Sequence, residues 1–466
     1  MSRNVFINKQ LIDILTNNIV RSKEKIISFK NLVFFALFFI SPIIMLAQAD
    51  LKDSILQQVT LKNAVDYAII HQPQIRQSLI DEAILETSIK SKLADWFPQI
   101  NFNYNLQHNF IIQTTIIGGN PIKLGVNNTS GGLFSFSQAI FNRDVLLANR
   151  TKTDVRLQAK QITSNDKISL AANVSKAFYD IISTEQQINV SATNILRVER
   201  SLKDAYNQYK AGIADKIDYK RATISLNNSK AVKKSNEELL KAKVEYLKFL
   251  IGYPVSAKLN MVYDSLQMEN EIVLDTLKAA DYNARIEYKL LSTQRRLLQF
   301  NLKYTKWSYL PTVSANGAYN LLFQNNNFGK LYSNNYPNSF AAISLGFPIF
   351  QGGKRKAHIQ AAELQLKRNE LDLESFRNSI NSGYTQAMAI YKSNLQNYLA
   401  LKENISLAKE VYDIIQLQYR SGIKTYLEVI TSETDLRNAE INYYTAMYQL
   451  LASKIDVQKS LGQLNY

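Results

Sequence analysis

Short segments in which polar and apolar residues alternate recur along the chain. Residues 99–110 read QINFNYNLQHNF and alternate without a break, and similar alternation recurs near 133–141, 312–324 and 340–350. A period of two places successive side chains on opposite faces, so each segment predicts a β-strand with one apolar and one polar face. The connections 111–132 and 324–338 are rich in Asn and Gly, which predicts surface loops.

The longer segments between the strands have a period of seven instead. Two series of apolar and tyrosine positions follow this period: Val174, Ile181, Ile188, Ile195, Leu202 and Tyr209, and Tyr384, Tyr391, Tyr398, Ile405, Tyr412 and Tyr419. A sustained seven-residue period is typical of coiled-coil packing. The pattern predicts helical hairpins over 142–250 and 354–460, whose longer helices would reach about 100 Å.

The chain is an internal duplication. The pattern YKAGI at 209–213 returns as YRSGI at 419–423, and WFP at 96–98 corresponds to YLP at 309–311. A period of about 210 residues is too long for a solenoid and indicates a tandem copy of a half-chain. We therefore divide the chain into a first repeat, 50–265, and a second repeat, 266–466, each with a strand pair followed by a helical hairpin. Gly212 and Gly422 are predicted to end the first helix of each hairpin in the left-handed conformation.

The N-terminal region has the features of an export signal. Residues 32–46 are almost wholly apolar, with Lys23, Lys25 and Lys30 before them and Ala47-Gln48-Ala49 after them. This arrangement predicts an N-terminal extension and signal peptide over 1–49, cleaved before Asp50. A membrane anchor is the alternative, although the run is shorter than the roughly 20 residues that a spanning helix needs.

Composition excludes several kinds of chemistry. The chain has 466 residues, a formal net charge of +16 and no cysteine, so it has no disulfide, thiolate metal site or cysteine nucleophile. His71, His108 and His358 are scattered, without the spacing of a zinc site, and no phosphate-binding loop or nucleophile motif occurs. We therefore expect no catalysis, no cofactor and no metal. The basic residues are dispersed along helices of an exported chain, which argues against a nucleic-acid partner.

The predicted strands are long enough to cross a membrane. Nine to eleven tilted residues suffice, with the apolar face toward lipid and the polar face toward a lumen. The edge of a soluble β-sandwich is the alternative, but the export signal and the aromatic faces favour the membrane. Four strands cannot close a barrel, and open edges in lipid leave backbone groups unsatisfied. The chain must therefore oligomerise, and either a dimer or a trimer would supply enough strands.

Four local patterns, together with this order of elements, resemble the TolC-like outer membrane efflux protein family. They are TLKNAVDYA at 60–68 running on to QPQI at 72–75, FPIFQGGKRK at 347–356, the two tips of the pattern Tyr-x-x-Gly, and SLGQLN at 460–465. The resemblance covers about 56–465. It implies a mixed α and β membrane protein: a trimeric, twelve-stranded barrel in the outer membrane of a Gram-negative bacterium, four strands per chain, continued by a long periplasmic α-helical coiled-coil barrel. It also implies a channel-tunnel of a tripartite efflux or type I secretion system. Its partners would be outer membrane lipid, a periplasmic adaptor and an inner-membrane pump of the RND or ABC type.

The resemblance also assigns roles to residues at the hairpin tips. Family members hold the periplasmic end closed through an aromatic and a basic residue of the second hairpin and an acidic residue of the first, which here correspond to Tyr419, Lys424 and Asp218. Lys424 stands where arginine is more usual, so a bidentate contact becomes a single-point one. Glu428 matches an acidic ring of the lumen, while Thr431 replaces a second acid. The exposed tips, which contain the residues Gly212, Ile213, Gly422 and Ile423, would contact the adaptor.

Two other classes of protein also contain long helical hairpins. A periplasmic adaptor of the membrane-fusion type has one hairpin flanked by soluble β-domains, and a structural coiled-coil protein of the cell surface lacks the strands and the duplication. On the residues alone, Asp218 and Glu428 are also compatible with an ordinary solvated helix face.

Overall fold

The computed structural model describes residues 56–263, 268–269, 271–275, 281–464 and 466. The predicted signal segment, 1–49, and the predicted boundary between the repeats at 265–266 lie outside the described residues. None of the described helices contains a stretch that is long and apolar enough to cross a membrane.

Long helices make up most of the described chain. In chain order they are α1 (Leu61–His71), α2 (Pro73–Ala94), α3 (Arg143–Lys210), α4 (Lys216–Ile251), α5 (Ile286–Lys306), α6 (Lys354–Arg420) and α7 (Tyr426–Ser460). Short 3₁₀ turns occupy Tyr282–Ala284, Trp307–Tyr309 and Phe328–Ser333. The pairs α3–α4 and α6–α7 are the two predicted hairpins, and their helices begin and end within a residue or two of the predicted positions.

The strands form one four-stranded antiparallel sheet and a separate small hairpin. They are β1 (Gln99–His108), β2 (Thr114–Ile117), β3 (Asn120–Lys123), β4 (Asn128–Phe141), β5 (Thr312–Asn325) and β6 (Asn338–Gly346). The large sheet has the order β1-β4-β5-β6, so its two edge strands come from different repeats. Strands β2 and β3 pair only with each other.

The alternation of the sequence is realised as two distinct faces of this sheet. Phe102 lies opposite Phe134 with ring centres 4.6 Å apart, and both side chains are exposed. On the other face, Asn316 donates hydrogen bonds to the hydroxyls of Ser314 and Ser344 at 3.1 and 3.0 Å. One face is therefore apolar and aromatic and the other is lined with amides and hydroxyls, as the two-residue period predicts.

Three details of the strands differ from the sequence prediction. The segment 111–132 is not only loop, because it contains β2, β3 and the start of β4. Glycines 131 and 132 interrupt the apolar pattern there; a Cβ on Gly132 would lie 3.3 Å from the Phe102 ring, so the glycine makes room for that ring. The fourth strand ends at Gly346 and not near 350, because Pro348 has no N–H to donate to a ladder.

Members of the seven-residue series pack into the seam between the helices. Val174 and Ile181 are fully buried, and Tyr391 and Tyr398 of the second series are 1% and 4% exposed. They belong to a large cluster that joins α1, α3, α4, α6 and α7. A second, smaller cluster at the hairpin tips contains Ala205, Ala222, Tyr419, Tyr426 and Val429. Packing along this seam holds both hairpins together from the main core to the tips.

Both hairpins end at a glycine that touches another backbone segment. Gly252, with φ +68°, ends α4, and a Cβ there would lie 2.8 Å from the carbonyl oxygen of His71. Gly462, with φ +67°, follows α7, and a Cβ there would lie 3.0 Å from the carbonyl carbon of Ala284. In both cases the glycine that follows the returning helix packs against the backbone near the start of its own repeat. We call this contact the joint of the repeat, and its presence in both copies shows that the duplication includes it.

Candidate functional site

The two hairpin tips have the same backbone structure. Gly212 and Gly422 have φ values of +74° and +76°, and their N–H groups donate to the carbonyls of Tyr209 and Tyr419, both at 3.0 Å. The next residue of each tip donates to the carbonyl of a glutamine, Gln208 or Gln418, at 2.9 Å. This pair of bonds closes the carbonyl end of a helix, as the predicted left-handed glycine requires.

An isoleucine forms the outermost apolar surface of each tip. Ile213 is 77% exposed and Ile423 is 71% exposed. The chain then turns into the returning helix, whose N-cap is Asp215 in the first hairpin and Thr425 in the second. Each tip therefore presents an exposed isoleucine on a hydrogen-bonded turn.

Tyr419 joins the second hairpin to the first. It is 4% exposed, its ring lies 5.7 Å from that of Tyr426, and its hydroxyl donates to the side-chain oxygen of Gln208 at 3.0 Å. Burial, followed by the negative charges of Asp218 and Asp204, raises the pKa of Tyr419 to about 12. The phenol is therefore neutral, and it donates across the hairpins at any physiological pH.

Lys424, which immediately precedes the N-cap Thr425, binds Glu428 in the first turn of α7. The Nζ atom lies 2.6 Å from Oε1 of Glu428, and both side chains are about one-third exposed. The other carboxylate oxygen accepts from the backbone N–H and the hydroxyl of Thr425, at 2.9 and 3.0 Å. The hydrogen bond from Lys424 has the largest effect on the Glu428 carboxyl and, together with the bonds from Thr425, lowers its pKa to about 2. Glu428 is thus an ionised part of the cap of α7.

The structure brings together only part of the predicted closing contact between Asp218, Tyr419 and Lys424. Asp218 is half-buried in the first turn of α4, close enough for its charge to act on Tyr419. Lys424 forms its ion pair with Glu428 and makes no ion pair with Asp218 within the described chain. The isolated protomer therefore has a tyrosine–glutamine contact across the hairpins, beside a lysine that is paired within its own hairpin.

Sequence reasoning missed three residues that connect the hairpins. Gln208 accepts from Tyr419, and Arg420 lies 3.8 Å from Asp204 in an exposed ion pair. One signal was present: glutamine precedes the tip tyrosine in both repeats, as QYKAGI and QYRSGI. Within the described ranges, no cluster of His, Asp or Glu is arranged to hold a metal ion.

The chain is similar to several known outer membrane channels. The family model described as "Outer membrane efflux protein" matches residues 64–253 and 293–463. Outer membrane protein TolC of Escherichia coli K12 is 21% identical over 432 residues, covering 88% of this chain and 84% of TolC.

Two solved structures are similar in fold. The CmeC outer membrane channel of Campylobacter jejuni superposes with a TM-score of 0.70 at 13% identity, covering 87% of this chain and 86% of CmeC. The open state of the MtrE outer membrane channel of Neisseria gonorrhoeae gives 0.66 at 18% identity, covering 86% and 88%. At such identities these matches show a common fold.

Proposed function

The chain belongs to the outer membrane efflux protein family, and we propose on that premise that it is the exit duct of a tripartite efflux or type I secretion system. It is an outer membrane efflux channel with a large periplasmic part. The single observation that carries this function is the union of a two-faced, four-stranded sheet with two long helical hairpins in one duplicated chain. A periplasmic adaptor or a cell-surface coiled-coil protein would lack that union.

The open sheet supports assembly as a homotrimer. All residues of the edge strands β1 and β6 are exposed, and their outer backbone groups have no partner strand among the described residues. Such edges are costly in lipid, where each unsatisfied group costs several kcal/mol. Three protomers would pair β1 of one chain with β6 of the next and close a twelve-stranded barrel. The polar face with Asn316 and Ser344 would then line the lumen, and the apolar face would contact outer membrane lipid.

The tips support docking to a periplasmic adaptor and, through it, to an inner-membrane pump of the RND or ABC type. Ile213 and Ile423 lie on identical rigid turns, so a trimer presents six similar apolar contacts at the periplasmic end. The duct itself would be passive. Its opening would depend on how these partners move the second hairpin relative to the first.

The arrangement at the tips supports a gate built from Asp218, Tyr419 and Lys424. In this proposal Lys424 exchanges between Glu428 of its own hairpin and Asp218 of a first hairpin, while Tyr419 stays buried. The exchange is feasible because the Lys424–Glu428 pair is one-third exposed, and exposed ion pairs are weak and replaceable. Glu428, which is ionised, would add one carboxylate per protomer to an acidic ring of the lumen.

Incorporation of the purified protein into planar lipid bilayers tests the function. We expect discrete steps of ion conductance in a membrane that is otherwise tight, because the polar face of the sheet would enclose water. Protein denatured by heat before addition is the control and should give no steps. Membrane-inserted oligomers that never conduct would contradict the proposal.

A further inference from the structure

A buried carboxylate lies on α7, about one turn from the tip cluster. Glu433 is 2% exposed, and neither of its carboxylate oxygens has a hydrogen-bond partner among the described residues. A buried charge without partners is costly, so such a group needs a reason to persist. The proposed gate does not use it.

Polar groups of four helices surround Glu433, and several of them lack hydrogen-bond partners among the described residues. Arg197 of α3 is committed to Glu440 of α7 at 2.8 Å, and its Nε atom has no partner. The hydroxyl of Tyr426, seven residues before Glu433 on the same face of α7, is also buried and unpartnered. Arg197 further lies over the ring of Tyr412 of α6, at 5.8 Å. The charges of Arg197 from α3 and Arg437 from α7 act on Glu433, and the charge of Glu433 acts in turn on Tyr412 of α6 and Tyr426 of α7. The other groups that act on those two tyrosines are Asp218 of α4 and Asp413, Tyr419 and Arg420 of α6, while Glu440 of α7 is paired with Arg197.

The first repeat lacks this acid. Its corresponding residue is Thr223, whose hydroxyl donates to the carbonyl of Tyr219 in its own helix at 2.8 Å. Arg197 likewise corresponds to Leu407, which is 52% exposed. The buried charges therefore belong to the seam between α3 and α7, where the second hairpin packs on the first.

We propose that Glu433 is a proton-operated latch: when neutral it allows α7 to pack tightly on α3 next to the tips, and when ionised it weakens that packing. This inference rests on the proposed gate, because the second hairpin is the part that would move. The ligand of the site is a proton, and the result is a duct that opens more readily as the periplasmic pH rises.

The burial of Glu433 determines the direction in which pH changes the stability of the packed state. Desolvation raises the pKa of Glu433 from 4.5 to about 7, against the opposing charges of Arg197 and Arg437. In an unpacked, hydrated state the same carboxyl titrates near its ordinary value. The stability that neutral Glu433 gives the packed state is therefore fully present below about pH 4.5 and is lost as the pH rises through about 7.

Three variants of the purified trimer test the latch. Glu433→Gln keeps the shape of the side chain and fixes it as neutral. Glu410→Gln, on the exposed face of α6, is the matched control for loss of one acid. Arg437→Gln removes a positive charge that lowers the pKa of Glu433, so it should move the midpoint to higher pH.

Two measurements are made on each variant: the infrared band of protonated carboxyl groups, and planar-bilayer conductance between about pH 5 and about pH 8. We expect the wild type and Glu410→Gln to lose a carboxyl band near neutral pH while the ratio of open to closed channels rises at least about tenfold. Glu433→Gln should lack that band and keep the low-pH ratio throughout.

Glu433→Gln channels that open with the same pH dependence as the wild type would overturn the latch. A wild type with no carboxyl titrating near neutral pH would also overturn it. Failure of the proposed channel function would look different, because the infrared band would still titrate in a trimer that conducts at no pH.

Discussion

At the scale of single residues, the two tips have the same backbone but different side-chain environments. Tyr209 is 37% exposed, whereas its counterpart Tyr419 is 4% exposed and bonded across the hairpins. A duplicated motif gives the same turn twice, but it cannot say which copy packs against the other repeat. Burial of Tyr419 is therefore a tertiary effect that the sequence does not encode locally.

The partner of Lys424 was, in contrast, readable from local spacing. Thr425-x-x-Glu428 is the pattern of a capping box, and Lys424 lies four residues before Glu428. The family resemblance implies Asp218 as the partner of Lys424 instead. Both partners enter the proposed gate, and the contact with Asp218 stays a prediction.

Replacement of Lys424 by aspartate tests the gate. Lys424→Asp places a negative charge beside Glu428 and, in the proposed gate, opposite Asp218, so it removes both alternative ion pairs and adds repulsion. We expect a severalfold higher single-channel conductance in planar bilayers. Lys424→Arg keeps the charge and should stay at or below the wild-type conductance. Unchanged conductance in Lys424→Asp would mean that Lys424 is an ordinary surface charge.

At the scale of elements, the helices could be predicted more fully than the strands. The seven-residue series spans only the second half of each long helix, but the chain has no proline over the 68 residues of α3 or the 67 residues of α6, and both helices begin and end close to the predicted residues. The strands are shorter, and their pattern fails where packing needs a small residue, as at Gly132 beneath Phe102. Strands β2 and β3 have only four residues each, and the two glycines between them are typical of a loop, so the sequence pattern did not indicate a hairpin.

The joint at Gly252 gives a stability prediction with an internal control. Gly252→Ala puts a methyl group 2.8 Å from the His71 carbonyl oxygen, whereas Gly212→Ala has nothing within 4 Å, although its φ is nearly the same. Both variants bear the strain of a left-handed alanine, about 1–2 kcal/mol. Gly252→Ala should cost a further 1–3 kcal/mol or so, and it should melt at a clearly lower temperature by circular dichroism.

If both alanine variants melt together, the close approach of α4 to the corner between α1 and α2 does not limit stability. Gly462→Ala would then also be expected to show no extra loss of melting temperature. If the extra loss of melting temperature occurs at Gly252 and not at Gly462, the joint of the second repeat contributes less to stability than that of the first.

At the scale of the whole molecule, one protomer is incomplete as a membrane structure. Among the described residues its sheet has two unpaired edges, the apolar face of the sheet is exposed, and each tip carries an exposed isoleucine. The sequence could predict that the chain must associate, because four strands cannot close. It could not give the number of copies, because both eight and twelve strands form barrels.

The mass of the particle extracted in mild detergent tests the central claim most directly. Light scattering, corrected for bound detergent, should give a protein mass of three chains, each of 53.2 kDa before any cleavage. The particle should stay intact on dilution, because the β1 and β6 edges satisfy each other around the ring. A folded, monodisperse particle with the mass of a single chain would contradict the account.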